Sequence, residues 1–421
     1  MTTVERRRDN QQWLLDYLVK TTGRVQNFGN DERQLPAEVK SYAMIPRVLQ
    51  KHAQHQERIA QRAAAAGHTE SARDLYWRAT QTYIEAQHAI FQDDDPEKIY
   101  LHGKVLECYD RLIETSDYPL ERVEIPWGQH RLQGLLHLLP DRRRAPTILL
   151  VPGMDMTKES LPSPLDGENL FLKRGVHVLV LDGPGQGMSN LRKIRVDADN
   201  YADAGRAALD YLVARPEVDA EQIALLGLSM GSYWAPLIAS RDRRVKACAS
   251  AHACYGDKTS MFEQASPRFK QVFMYMAGIH DEAEFDRMVA RMTLVGRARD
   301  IACPMLMITG EYDPLCPIDE GLRVYDEVQA PKELWVFENE FHRVTNSRAL
   351  GGAAIHGFMV DWLKDALAGR FQSGYAREVL IPQRGLGPYH PAGTPIFLPG
   401  RADGAPASVS PNGSQTAARP G

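Results

Sequence analysis

Residues 223–235 read IALLGLSMGSYWA: a short apolar run, then Gly227-Leu228-Ser229-Met230-Gly231, then small and apolar residues continuing to Ser240. The charged Arg241-Asp242-Arg243-Arg244 ends the pattern. A G-x-S-x-G directly behind an apolar run of strand length constrains this stretch to strand, sharp turn and helix, with the serine at the tip of the turn. Glycines two residues to either side let the backbone bend there without a Cβ in the way. A hydroxyl held in that position can attack a carbonyl, and the amide of the following residue, Met230, faces the oxyanion that forms.

A serine nucleophile needs a general base and a carboxylate to orient it, and behind such an elbow they follow in the order serine, acid, histidine. Residues 304–310 (PMLMITG) form an apolar strand ending in Glu311-Tyr312-Asp313-Pro314, which puts Asp313 on the loop at the carboxyl end of the strand. Glu311 is the rival acid, but its place nearer the strand turns it away. The next strand, residues 333–338 (ELWVFE), runs into Asn339-Glu340-Phe341-His342, and an alanine-rich apolar helix follows from about Ser347. His342 therefore sits on a loop with reach to Ser229, whereas His356 falls inside the last helix. A second oxyanion donor is expected after an earlier strand, residues 147–151 (TILLV), where Pro152-Gly153-Met154-Asp155 allows close approach of the backbone and Met154 supplies the N–H.

With 421 residues the chain can bury a large core and still carry an appended module. A formal charge of −4 and the lack of a basic stripe speak against nucleic acid, and the runs at Arg6-Arg7-Arg8 and Arg142-Arg143-Arg144 read as solvated surface. Five cysteines, Cys108, Cys248, Cys254, Cys303 and Cys316, without C-x-x-C spacing, imply neither a disulfide framework nor a zinc ribbon. The amino terminus has no apolar run long enough for a signal peptide and no segment approaches a membrane span, so a cytoplasmic location is expected.

Apolar residues recur at three and four across about residues 9–117, as in Trp13, Leu14, Tyr17 and Leu18, then Leu75, Tyr76, Ala79 and Tyr83, which predicts a separate helical domain over 1–117. From Leu120 short strands take over and then alternate with helices, predicting a doubly wound, mostly parallel sheet over 118–370 with its site at the carboxyl ends of the strands. Some fifty residues stand between two of these strands where a crossover helix would suffice. They predict a cap over the site at about 253–300, and Phe262, Phe269, Phe273, Met274, Tyr275 and Met276 give it an apolar pocket. Residues 371–421, rich in Pro, Gly, Ala and Ser, read as a tail, packed in its first part and disordered from about Arg401.

Two alternatives for the chemistry fit poorly. Asp182-Gly183-Pro184-Gly185-Gln186-Gly187 has glycines but no Lys-Ser/Thr after it and no G-x-G-x-x-G opening a helix, so it reads as a loop on the substrate side of the sheet. His52 and His55, and His280-Asp281-Glu282, are incomplete as ligand sets; no metal and no cofactor are expected.

Residues 152–159 (PGMDMTKE), 182–187 (DGPGQG) and 227–231 (GLSMG), behind a helical amino-terminal module, resemble the FrsA-like branch of the α/β-hydrolases, over roughly residues 10–370. That branch includes 2,6-dihydroxypseudooxynicotine hydrolase and fungal polyketide-shortening hydrolases of melanin pathways. The resemblance implies an α/β-hydrolase fold, a homodimer, a triad of Ser229, Asp313 and His342, and cleavage of a carbon–carbon bond beside an activated carbonyl. It also implies a cap glutamate that assists at the substrate, for which Glu263 in Phe262-Glu263-Gln264-Ala265-Ser266-Pro267 is the candidate, although the spacing to the proline departs from the family pattern. The expected activity is thus hydrolysis of an acylated aromatic or β-dicarbonyl small molecule through an acyl-enzyme. The alternatives are a carboxylesterase for apolar acyl esters and a non-catalytic interaction protein on the same fold.

Overall fold

The structure, a computed structural model, describes Pro36 and residues 38–392 apart from 155, 166, 266 and 346. The expected helical start around Trp13 to Leu18 and the far end of the tail lie outside the described residues.

Three helices come first: α1 (Ile45–Ala65), α2 (Thr69–Gln87) and α3 (Pro96–Glu114). Each buries one stripe: Leu49, Ala53 and Ala60 on α1, Tyr76, Ala79 and Tyr83 on α2, Leu101, Val105, Cys108 and Leu112 on α3. These are the three- and four-residue spacings of a single helical face. The start of α3 is fixed locally, with Pro96 in its first turn and the Asp95 side chain accepting the Lys98 amide at 2.9 Å. A buried carboxylate ties the three helices together, since Glu57 of α1 accepts from Tyr83 Oη of α2 and from Lys104 Nζ of α3, both at 2.7 Å.

Nine strands form one sheet: β1 (Leu120–Trp127), β2 (His130–His137), β3 (Ala145–Val151), β4 (His177–Leu181), β5 (Val218–Leu228), β6 (Val245–Ala251), β7 (Met305–Gly310), β8 (Lys332–Phe337) and β9 (Ala376–Ile381). Their spatial order is β1-β2-β4-β3-β5-β6-β7-β8-β9. The β1–β2 and β2–β4 pairs are antiparallel and all the others parallel. Successive side chains of a strand point to opposite faces. Accordingly Leu149, Val151, Leu179 and Leu225 enter one core, while Ile148, Leu150, Val178 and Leu226 enter the other. Both faces are covered, which is why the central strands read as continuous apolar runs; each fully buried Leu or Val stabilises by roughly 1.5–3 kcal/mol.

The second core also contains Leu49, Tyr76, Tyr83, Leu101, Val105 and Tyr109 from α1, α2 and α3. The amino-terminal helices therefore share an apolar core with one face of the sheet, together with the helix Ile355–Leu367. Periodicity along a helix cannot tell whether its apolar face meets a sibling helix or a sheet.

Between β6 and β7 stand the helices Lys258–Gln264, Pro267–Ala277 and Glu282–Val289. Phe262, Phe273 and Phe285 form a three-ring cluster with centroids 5.1–5.9 Å apart, and Phe273 also lies against Trp234, which stacks on Tyr201 at 4.0 Å. These aromatics anchor the insertion to the body of the fold. Asp281, met in the sequence beside His280 and Glu282, is the N-cap of the third helix and accepts the Glu284 amide. The sheet also extends beyond residue 370, because residues 376–381 pair in parallel with β8 as β9. An edge strand whose burial is only partial carries a weak apolar signal, and the proline-rich surroundings mask it.

Candidate active site

The β5 strand delivers Ser229 to a backbone of φ 55° and ψ −123°, a sparsely populated conformation that costs about 1–3 kcal/mol and persists only where the surroundings enforce it. They do so through close packing. A Cβ on Gly227 would overlap the carbonyl oxygen of Gly231, and one on Gly231 would overlap that of Val151. The two glycines let strand, turn and helix lie against one another and against the end of β3. The helix Met230–Arg241 begins immediately, so the Met230 amide is among the first-turn donors that a helix leaves without an internal acceptor.

From the Ser229 hydroxyl a line of hydrogen bonds runs across three strand ends. Ser229 Oγ lies 3.0 Å from His342 Nε2, and His342 Nδ1 lies 2.9 Å from Asp313 Oδ2. Asp313 follows β7 and His342 follows β8, and both are buried, at 2 % and 5 % exposure. The other carboxylate oxygen, Asp313 Oδ1, accepts the Leu315 amide at 2.9 Å, which fixes the plane of the carboxylate. Glu311 turns the other way, its Oε2 accepting the Asn339 amide at 2.9 Å. His356 lies on the helix Ile355–Leu367, preceded by a 3-10 turn at Arg348–Leu350 in place of a continuous helix from Ser347.

The loop after β3 closes against the elbow, so that a Cβ on Gly153 would sit 3.2 Å from Ser229 Cβ. Met154, at 4 % exposure, follows in that loop. Two groups that sequence reasoning did not single out hold this neighbourhood. The buried Gln186 donates through Nε2 to the Gly153 carbonyl at 2.7 Å and accepts at Oε1 from the Gly183 amide and from Tyr201 Oη. The 182–187 loop thus clamps the 152–154 loop, and Gly187 is small because its Cβ would meet the Asp182 carboxylate. Beneath them Lys158 is fully buried, its Nζ 2.8 Å from both Asp182 Oδ2 and Glu159 Oε1. Burial opposes charge on Lys158 and Asp182, but their attraction prevails, lowering the Asp182 carboxyl and raising the Lys158 ammonium.

His252 directly follows β6 with φ 59° and is buried among the residues around His342. Its Nδ1 lies 3.2 Å from the His342 carbonyl oxygen and 3.3 Å from the Val344 amide, and its Nε2 lies 3.2 Å from Thr345 Oγ1. Burial, with the nearby His342 and His356 rings, pushes its pKa well below the ordinary histidine value, so it braces this loop as a neutral ring. A histidine at the end of an apolar strand was a signal available in the sequence; Gln186 offered none beyond its place between glycines.

Glu263 lies on the first helix of the insertion, Lys258–Gln264. It pairs with Lys270, Oε1 to Nζ at 3.3 Å, in a cluster where Lys270 also meets Asp286 at 2.6 Å and Glu282 at 3.7 Å. The Arg142, Arg143 and Arg144 side chains pair with Glu121, Glu217, Asp141 and Asp219 at the surface. Among the described residues no helix is long and apolar enough to cross a membrane.

Residues 167–370 match the model of the prolyl oligopeptidase family. By sequence the chain is 32 % identical over 252 residues to the α/β-hydrolase xenA of Xenoacremonium sinensis, covering 57 % of each chain. It is 27 % identical over 318 residues to 2,6-dihydropseudooxynicotine hydrolase of Paenarthrobacter nicotinovorans, covering 74 % of this chain and 81 % of that one. The chain spans about half the length of the fungal relatives it matches. The solved 2,6-dihydroxy-pseudo-oxynicotine hydrolase superposes with a TM-score of 0.69 at 24 % identity, over 87 % of this chain and 99 % of its own.

Proposed function

From the premise that this chain has the α/β-hydrolase fold, we propose that it is a serine hydrolase that cleaves a carbon–carbon bond beside a carbonyl in an acylated aromatic or β-dicarbonyl small molecule. The observation that carries the reading is the hydrogen-bonded line from Ser229 through His342 to Asp313 at 3.0 and 2.9 Å. In this mechanism His342 Nε2 takes the hydroxyl proton as Ser229 Oγ bonds to the carbonyl carbon. The amides of Met154 and Met230 face the oxyanion, and the Asp313 carboxylate stabilises the imidazolium. Collapse breaks the carbon–carbon bond, whose electron pair leaves with the carbon fragment as an enolate or electron-rich aryl carbanion and takes the proton from the His342 imidazolium, which returns to the neutral base. Water, deprotonated by His342, then attacks the acyl ester, releasing a carboxylic acid and restoring Ser229.

Carboxylesterase activity is the second reading, and one observation favours it. An ester needs no acid that protonates carbon, and the cap carboxylate expected to assist, Glu263, is engaged by Lys270. Likeness to 2,6-dihydropseudooxynicotine hydrolase over 74 % of the chain supports the carbon–carbon reading. Cytoplasmic location, a homodimer and a helical amino-terminal domain over 1–117 belong to the same proposal, whereas the chain after 370 is no simple tail, since β9 completes the sheet.

The test uses oxygen-18 water, a dihydroxyphenyl ketone and a matched aryl ester, with the protein and its Ser229→Ala variant. Labelled acid released from the ketone in a Ser229-dependent manner supports carbon–carbon hydrolysis. Labelled acid from the ester alone supports the esterase.

A further inference from the structure

Next to the loop that carries Met154 a small cleft of about 50 Å3 opens between three separate parts of the fold. Phe91 and the α2–α3 region form one wall, Tyr275 and Met276 of the insertion another, and Met154 with Met156 the third. Most of this surface is apolar, which makes the polar groups in it informative.

Asn190, on the short helix Gly187–Leu191 behind the 182–187 loop, lines the cleft at 4 % exposure. Neither Nδ2 nor Oδ1 of its side chain has a hydrogen-bond partner. A buried amide with both ends unmatched costs about 1–3 kcal/mol per group, a cost that a bound ligand with a donor and an acceptor would remove. Lys98 lines the same cleft from α3. Its Nζ donates to the Ile90 carbonyl at 2.8 Å, reaches that of Gln87 at 3.4 Å, and lies 4.8 Å from the centre of the Tyr275 ring. An ammonium has three donors, so one remains for an occupant of the cleft. Burial lowers the pKa of Lys98 to about 8, an environment in which a partner with negative charge gains most.

We infer that Lys98 and Asn190 form a specificity subsite that takes the oxygen-bearing end of the substrate, an apolar ring or chain carrying an acidic hydroxyl or enol. Lys98 meets the oxygen when it is ionised, and the Asn190 amide donates to that oxygen or accepts from its hydroxyl. The amino-terminal helices thereby supply a recognition group as well as a supporting surface. The inference rests on the serine-hydrolase reading for the reaction that follows binding, and not for the binding itself.

The experiment measures binding to the full-length Ser229→Ala protein by titration calorimetry, with a dihydroxyphenyl ketone and the same ketone lacking its ring hydroxyls. The hydroxylated ligand is expected to bind at least tenfold more tightly, and Lys98→Met and Asn190→Leu are each expected to reduce that preference about tenfold. Should Asn190→Leu fail to fold, Asn190→Ala removes the same groups with less bulk. An undiminished preference in folded variants of both residues would overturn the subsite. Turnover is scored separately: a protein that binds with the expected preference but hydrolyses neither ketone nor ester would contradict the proposed reaction while leaving the subsite standing.

Discussion

Gln186 Nε2 donates to the carbonyl oxygen of Gly153 at 2.7 Å, joining the loop after β4 to the loop after β3 at the point where the latter passes Ser229. The carboxamide has no spare capacity, because Nε2 also reaches the Pro152 carbonyl at 3.5 Å and Oε1 accepts from the Gly183 amide at 3.0 Å and Tyr201 Oη at 2.7 Å. Gln186→Leu keeps much of the volume and strands these partners. Each stranded group costs about 1–3 kcal/mol, and displacement of the Met154 amide, in its proposed role as oxyanion donor, acts chiefly on the transition state. We expect kcat to fall about 10- to 100-fold with little change in KM, read from steady-state kinetics, while Tyr201→Phe, which removes a single bond, has a much smaller effect.

The elbow tolerates no added carbon. Gly231→Ala would set a Cβ against the Val151 backbone carbonyl, which cannot move without displacing β3. The expected loss is more than about 4 kcal/mol, at the extreme of single substitutions, seen as failure to accumulate folded protein. A Cβ on Gly103, inside α3, would meet nothing within 4 Å, and the backbone there has no positive φ. Gly103→Ala should therefore stabilise by about 0.5–1 kcal/mol in chemical denaturation. Equal effects at the two positions would contradict the packing described.

Lys158 and Asp182 are a buried pair beneath the site, and removing one partner leaves a charge without compensation. Lys158→Met is expected to destabilise by about 3–5 kcal/mol in denaturant titration. A loss below about 1 kcal/mol would mean that the pair is not buried as described.

Acid should weaken the fold through histidines held neutral. Burial lowers the pKa of His137 to about 3, and burial with repulsion from Lys158 lowers that of His102 to about 3, from 6.5. As pH falls below 6.5 the unfolded chain takes up protons that the folded chain cannot, so stability present above 6.5 is lost progressively down to about 3. Each histidine contributes up to about 1.4 kcal/mol per pH unit in that window. Denaturation at a series of pH values should show this slope, and His137→Asn should make it shallower.

The parts legible in the sequence were those that local pattern encodes. Ser229 announces itself through two glycines behind an apolar run, and Asp313 and His342 through strand ends followed by loops. The contacts that hold these residues in place were not legible, because Gln186 acts on Gly153 and His252 on the His342 loop across separations that no periodicity records. Strand β9 was hidden for a different reason: an edge strand buries too little to stand out among prolines and glycines. Glu263 was reached through resemblance alone, and its pairing with Lys270 at 3.3 Å is a contact that no local pattern records.

The most direct test of the mechanism is whether an acyl group becomes attached to Ser229. A slowly deacylating aryl ester is mixed with the protein, the reaction quenched in acid, and the digest read by mass spectrometry. The peptide containing Ser229 is expected to gain the mass of the acyl group, and His342→Ala to reduce the amount trapped by orders of magnitude. Product formation with no adduct at Ser229, or an adduct unaffected by loss of His342, would contradict the mechanism.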